Sequence, residues 1–299
     1  MIEGYEKSEK ATASTLQAYL EVTKPPSVAL LVFTALGGMV VAAGGQAIPP
    51  GLFLQALLAA TLGCAGANAI TCYIDRDMDS IMERTKRRPL PTRRIDPPER
   101  ALYWGVALAV ASFILAWLIN PLSFLCAAFG FFDNVLIYSL LMKRRSPLNV
   151  IWGGFSGGIP ALFGWAAVKG SLSLAAFLIA ALVVLWIPSH IWNLALFWSE
   201  DYKKVKVPML PAVFTLKSTL RCLLTTALLL YLFSIALGFV GGLGAIYLTT
   251  ALVAGLAMVV GNLNMFIRPT RKKAWVMFKM SGPYLLILFV SMMLDLLLK

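Results

Sequence analysis

The chain has 299 residues, 59% of them hydrophobic and only 13% charged, with a net charge of +12 and a mean hydropathy of +0.79. Soluble domains carry about 25% charged residues, so the composition excludes a soluble enzyme and leaves a multi-span membrane protein. The positive charge reads as membrane topology, and no nucleic-acid partner is expected.

Residues 1–19 are polar and lack the layout of a cleaved signal peptide, so they are expected to form a cytoplasmic N-terminus. Nine apolar segments follow, at 20–43, 51–75, 99–118, 121–141, 147–168, 172–198, 216–240, 243–265 and 274–298. Each approaches the roughly 20 residues a bilayer-spanning helix needs, and only a helix satisfies its own backbone in lipid unless a barrel closes. The expected fold is all-α: nine transmembrane helices around a central cavity that opens to the cytoplasmic side, forming one domain over 20–299.

Charge placement supports this count. With the N-terminus inside, the inside segments are 1–19, 76–98, 142–146, 199–215 and 266–273. Together with the adjoining helix ends, they hold every Lys and Arg except Lys169 and Lys299. Such asymmetry follows the positive-inside rule. It places the C-terminus outside and suggests a cell (plasma) membrane, as does the lack of a transit-peptide pattern. Cys64, Cys72, Cys126 and Cys222 have no metal-ligand spacing. The pairs Gly37-Gly38, Gly44-Gly45, Gly153-Gly154 and Gly157-Gly158 fit close helix packing.

At the end of the second segment, Asn68, Thr71, Cys72, Asp75 and Asp79 fall within roughly 60° of one helical line, while Asp77 points away. Two carboxylates at i, i+4 can hold a hard cation, and Mg²⁺ suits a site of a few carboxylates, waters and substrate phosphates. Salt bridges to Arg76, Arg84 or Lys86 are the alternative. Arg84, Lys86, Arg87 and Arg88 come next. Membrane anchoring explains them, but Arg forks also bind phosphate. Pro89 and Pro91 then turn the chain back.

The fourth segment closes on Tyr138 and Lys143-Arg144-Arg145, where Lys143 can reach a diphosphate. Asp133 lies about 15 Å deeper at a helical rise of about 1.5 Å per residue and has no evident role. In the sixth segment, Pro188 is expected to kink the helix and free a carbonyl toward the cavity. His190, the single histidine, is expected to share a face with Asn193, Phe197 and Asp201. An imidazole there can ligate iron, move a proton or make a helix–helix hydrogen bond. Glu200 and Asp201 are further metal candidates, with Lys203 beside them.

The order of features repeats weakly. Acidic residues end the second and sixth segments, and basic residues end the fourth and eighth. Two pseudo-repeated four-helix units plus a ninth helix would bring these ends around one cavity.

Several motifs carry a resemblance: Tyr73-Ile-Asp-Arg-Asp-Met-Asp79 with Met82-Glu-Arg-Thr85 and Arg88-Pro-Leu-Pro91, Lys143-Arg-Arg-Ser-Pro-Leu-Asn149, Pro188-Ser-His-Ile-Trp192, and Asp201-Tyr202 with Val207-Pro-Met-Leu-Pro211. Glu21-Val-Thr-Lys-Pro25, Ala274-Trp275 and Tyr284 add to it. The chain, over roughly 19–298, resembles the UbiA-type intramembrane prenyltransferases, and most narrowly their protohaem-farnesylating branch. It departs where Thr71 replaces a usual Asn, for which Asn68, one turn earlier, is the candidate substitute. It also departs where Phe197 replaces the first Asp of a second motif, and at Pro26, where Arg is common.

The resemblance implies farnesyl transfer from farnesyl diphosphate to the 2-vinyl group of protohaem IX (haem B), with Mg²⁺ as cofactor. Asp75, Asp79 and Lys143 would be catalytic, and Asp75, Asp79, Asp201 and Glu200 would hold metal. Arg84, Arg88, Lys143, Arg144 and Lys203 would bind diphosphate. His190, Asn193, Tyr138 and Asn68 would line the acceptor pocket. The implied partners, besides the bilayer, are a haem A synthase or terminal-oxidase assembly factors. Two alternatives stay open: a relative that prenylates a quinone precursor, chlorin or glycerol phosphate, and a multi-span transporter. A transporter would place charge nearer the midplane.

Overall fold

A computed structural model describes residues 14–298. Most of the polar N-terminus expected over 1–19, and Lys299, lie outside these residues. Among them, nine helices are long and apolar enough to cross a bilayer: Pro25–Ala43, Pro50–Ile74, Glu99–Ile119, Pro121–Met142, Asn149–Lys169, Leu174–Phe197, Leu216–Val240, Ala245–Ile267 and Arg271–Leu297. These are the nine expected segments, and the protein is an all-helical, multi-span membrane protein. Large apolar side chains face outward, including Trp117 at 58% exposure and Phe239 at 72%, as lipid contact requires.

Local chemistry sets the helix boundaries. The first span starts at Pro25, five residues later than the apolar run suggests. A separate helix over 14–22 ends in a turn, and Lys24 adopts left-handed backbone with φ 56° just before Pro25-Pro26. The residue before a proline disfavours the α region, so the helix breaks there. The fourth span is capped by Asn120, whose side chain accepts the Ser123 N–H at 2.7 Å. The seventh and ninth are capped by Thr215 and Thr270 in the same manner.

Consecutive spans pack side by side, and the ninth returns against the first and the sixth. The first and fifth cross closely enough that a Cβ on Gly38 would stand 2.2 Å from the Ala161 carbonyl oxygen, and one on Gly164 would stand 2.0 Å from that of Ala35. Small residues permit this approach where packing, and not burial from water, drives association. Six-residue helices, Arg76–Ile81 and Ser199–Lys204, follow the second and sixth spans. They occupy corresponding places in the two runs of four spans.

Two elements depart from ideal helix. The end of the fourth span, Asp133–Met142, is a π-helix, in which the Lys143 N–H bonds the Tyr138 carbonyl at 2.8 Å. π-Turns change the phase of the side chains and occur often at functional sites. At Pro188, the carbonyl left without its helical N–H partner is that of Val184. It lies against Gly154 of the fifth span, where a Cβ would sit 3.4 Å away. It faces a helix neighbour, not the cavity as the sequence suggested, because glycine lets the fifth span close over it.

Candidate active site

The polar helix ends gather at one end of the bundle, around a cavity of about 690 Å³. Side chains from the first six spans and from the ninth line it. Its depth is mostly apolar, with Leu30, Leu31, Phe131, Phe163 and Ile187 among the walls, and its mouth is charged. Lys24, Arg84, Arg88 and Lys143 meet Asp75 and Asp79 there.

The second span delivers the acids. Asp75 caps its C-terminus, and the next turn, begun by Arg76, keeps the helical course, so the Asp79 N–H still bonds the Asp75 carbonyl at 2.9 Å. Both carboxylates are buried, and both line the mouth. Asp75 Oδ2 accepts from Lys143 Nζ in a short ion pair, and Asp79 Oδ2 lies 2.7 Å from Arg88. Of the alternatives left by the sequence, the partners are therefore Lys143 and Arg88, not Arg76, Arg84 or Lys86. Asp77 points away, as expected, and accepts from both terminal guanidinium nitrogens of Arg144 at 2.6 and 2.7 Å. That contact occupies Arg144 outside the cavity lining.

The ion pairs set the protonation states. Burial works against the Lys143 charge, but the Asp75 carboxylate overcomes it and holds the amine above its ordinary pKa. Arg88 is likewise raised, with Asp79 outweighing its desolvation. Lys24 is pushed the other way. Burial lowers its pKa, the charges of Arg88 and Lys143 lower it further, and its Nζ donates to the Thr71 hydroxyl at 3.1 Å. Asn68 steadies the same turn by donating to the Thr23 carbonyl at 3.0 Å. The sequence placed Lys24 in a motif without giving it a role. The available signal was a lone basic residue before a proline pair at a span entrance.

A second loop closes the mouth. Asp201 is buried, and its Oδ2 accepts the Arg84 backbone N–H at 3.2 Å, while the Arg84 guanidinium reaches the Tyr202 hydroxyl at 3.4 Å. Tyr202, Val207 and Met209 line the cavity from this side. Glu200 and Lys203 are exposed and paired with each other at 3.1 Å, and Glu200 also faces Arg271 at 3.6 Å. Neither lines the cavity. Of the residues expected on one face, His190 and Phe197 both pack on the ninth span, against Phe278 and Trp275, while Asp201 lies beyond a break in the helix at Trp198. Asn193 is fully buried and donates to the Ser189 carbonyl at 2.7 Å.

Among the described residues, no three His, Cys, Asp or Glu side chains are gathered as a ready metal site. The donor chemistry at Asp75 nonetheless suits a hard cation. Its Oδ1 is buried and makes no hydrogen bond among the described residues. Such a cation would need phosphate and water oxygens beside those of Asp75 and Asp79.

Deeper in the cavity, His190 and Tyr138 are exposed to the interior space. Lys143 Nζ stands 5.6 Å from the Tyr138 ring centre. Asp133 is buried away from the mouth, and its carboxylate accepts the Ser156 N–H at 2.9 Å. It thus joins the fourth span to the fifth, a partner the sequence did not disclose.

The model of the UbiA prenyltransferase family matches residues 31–290. The protoheme IX farnesyltransferase of Desulforudis audaxviator is 56% identical over 281 residues, covering 94% of this chain and 89% of that protein. Protoheme IX farnesyltransferase 2 of Cenarchaeum symbiosum is 40% identical, covering 96% and 97%. Among solved structures, a digeranylgeranylglyceryl phosphate synthase superposes with a TM-score of 0.76 at 20% identity, covering 95% of this chain and 99% of that one. A UbiA homologue from Archaeoglobus fulgidus bound to GPP and Mg²⁺ gives 0.61 at 17%, covering 92% and 99%.

Proposed function

The chain belongs to the UbiA prenyltransferase family, and we propose that it transfers a farnesyl group from farnesyl diphosphate to the 2-vinyl group of protohaem IX, giving haem O and diphosphate. One observation carries this reading: a charged mouth with four cations and two carboxylates opens into a mostly apolar cavity that holds the chain's single histidine. The identity to protoheme IX farnesyltransferases supports the choice of acceptor.

The residues divide the work along the cavity. Lys143, Arg88, Arg84 and Lys24 bind the diphosphate and offset the charge that grows on it as the C1–O bond breaks, which lowers the barrier. The apolar walls hold the prenyl chain and keep water from the allylic cation at C1. The terminal vinyl carbon then bonds to C1. Water captures the resulting porphyrin-side cation as a hydroxyl, releasing one proton.

Asp75 and Asp79 are the residues that would hold Mg²⁺, which when bound adds positive charge beside the leaving phosphates. The Archaeoglobus homologue with GPP and Mg²⁺ supports a divalent ion in this fold. Asp201 would act on the same end by holding the Arg84 backbone, and not as a ligand.

In the membrane, the charged mouth faces the cytoplasm of a cell membrane in this reading, with the N-terminus inside and the C-terminus outside. A haem A synthase or terminal-oxidase assembly factors would receive the product.

Incubating the protein in membranes with farnesyl diphosphate and, separately, haem B, a quinone precursor, a chlorin or glycerol phosphate, then weighing the products, tests the proposal. Farnesylated, hydrated haem is expected. Product from another acceptor alone would overturn it.

A further inference from the structure

Ser281 lies fully buried in the ninth span and binds two rings of the sixth. Its hydroxyl meets His190 Nδ1 at 2.6 Å and also donates to the Phe278 carbonyl at 2.6 Å. Its carbonyl accepts the Trp186 indole N–H at 2.7 Å. A serine hydroxyl has one proton. In the arrangement where that proton goes to the Phe278 carbonyl, the hydroxyl accepts from His190, Nδ1 carries the imidazole hydrogen and Nε2 keeps a lone pair.

The ring's orientation is fixed as well. Trp186 stacks on His190 with centroids 4.4 Å apart and an interplanar angle of 21°, and Phe278 lies 4.5 Å away at 35°. These neighbours occupy the ring's flanks, and Ser281 holds its Nδ1 edge. His190 is only partly buried and lines the cavity, so the edge bearing Nε2 is the one left to meet a ligand. A ring clamped in this way cannot lie flat on a porphyrin. It meets one edge-on, as an axial ligand does.

We infer that Ser281 is a positioning residue that fixes the His190 tautomer and aims Nε2 at the iron of the acceptor porphyrin. Iron ligation orients the macrocycle and so decides which edge, and which vinyl group, is held toward the diphosphate mouth. Partners that bind the far nitrogen of a metal-ligating histidine set its tautomer and raise its basicity, and losing them lowers metal affinity by about 10- to 100-fold. The inference rests on the reading that the acceptor is haem.

Its test is optical and EPR spectroscopy of ferric haem B titrated into the full-length protein in nanodiscs. The wild type should show an imidazole-ligated spectrum. Ser281→Ala should weaken haem binding by roughly 10-fold or more and shift the spin-state mixture, while Ser281→Thr restores both. In His190→Ala the ligation signature should vanish and return with added imidazole, independently of how Ser281→Ala folds. A wild-type spectrum and affinity in Ser281→Ala, or no histidine signature in a wild type that farnesylates haem, would overturn the inference and leave the acceptor reading standing. A wild type that binds no haem and prenylates another acceptor would overturn both.

Discussion

Lys143 and Asp75, sixty-eight positions apart, form a short ion pair at the cavity mouth with little access to solvent. Breaking a buried pair by removing one partner typically costs about 3–5 kcal/mol, because the other charge is left uncompensated. Lys143→Met should therefore lower thermal stability as well as activity. The double variant Lys143→Met with Asp75→Asn should recover most of the stability and none of the turnover. Thermal unfolding in detergent, alongside diphosphate release, checks this; recovery of turnover in the double variant would contradict it.

Lys24 should show the opposite balance. Its folded-state pKa lies below the ordinary lysine value, so the unfolded chain binds the proton more readily. The penalty is complete below the folded pKa and fades as pH rises toward the unfolded value of about 10.4. Lys24→Gln should raise the melting midpoint at neutral pH. It should also weaken diphosphate binding by roughly 10-fold or more, the worth of a hydrogen bond to a charged group. A lowered midpoint with unchanged diphosphate affinity would remove Lys24 from the site.

Glu200 and Lys203 form an exposed pair outside the cavity. Such pairs contribute about 0–1 kcal/mol, so Glu200→Ala and Lys203→Ala should each keep turnover within about 3-fold of wild type. Asp201→Ala should lose far more, since Arg84 would lose the acceptor for its backbone N–H. Steady-state rates of the three variants decide which part of this helix end serves the chemistry.

Gly164→Ala should destabilise the crossing of the first and fifth spans, because the added methyl would meet the backbone oxygen of Ala35 at 2.0 Å. Overpacking of this kind costs about 1–3 kcal/mol. A melting midpoint equal to wild type would mean the two helices part easily.

The nine spans were legible because length, hydropathy and basic-residue placement all speak at the scale of a whole segment. Asp75 and Asp79 were legible because their spacing stays helical even across the break at Asp75. From His190 to Asp201 the helix is likewise interrupted, at Trp198, and hydropathy gave no sign of that break. Glu200 and Lys203 were expected at the site from their place beside Asp201 and from the resemblance, yet they pair with each other outside the cavity. Lys24, Tyr202 and Ser281 were not assigned roles because their partners lie far along the chain, at Thr71, Arg84 and His190. The π-helix over Asp133–Met142 has no hydropathy signature and moved Lys143 relative to any ideal helix.

The most direct test is diphosphate release measured together with the mass of the haem product, in membranes given farnesyl diphosphate, haem B and Mg²⁺. The wild type should release one diphosphate for each farnesylated haem. Asp75→Asn and Asp79→Asn, folded and inserted, should each fall by about 100-fold or more, as loss of a preorganised electrostatic group does. Full release and product in either variant would contradict the assignment of this mouth as the centre of prenyl transfer.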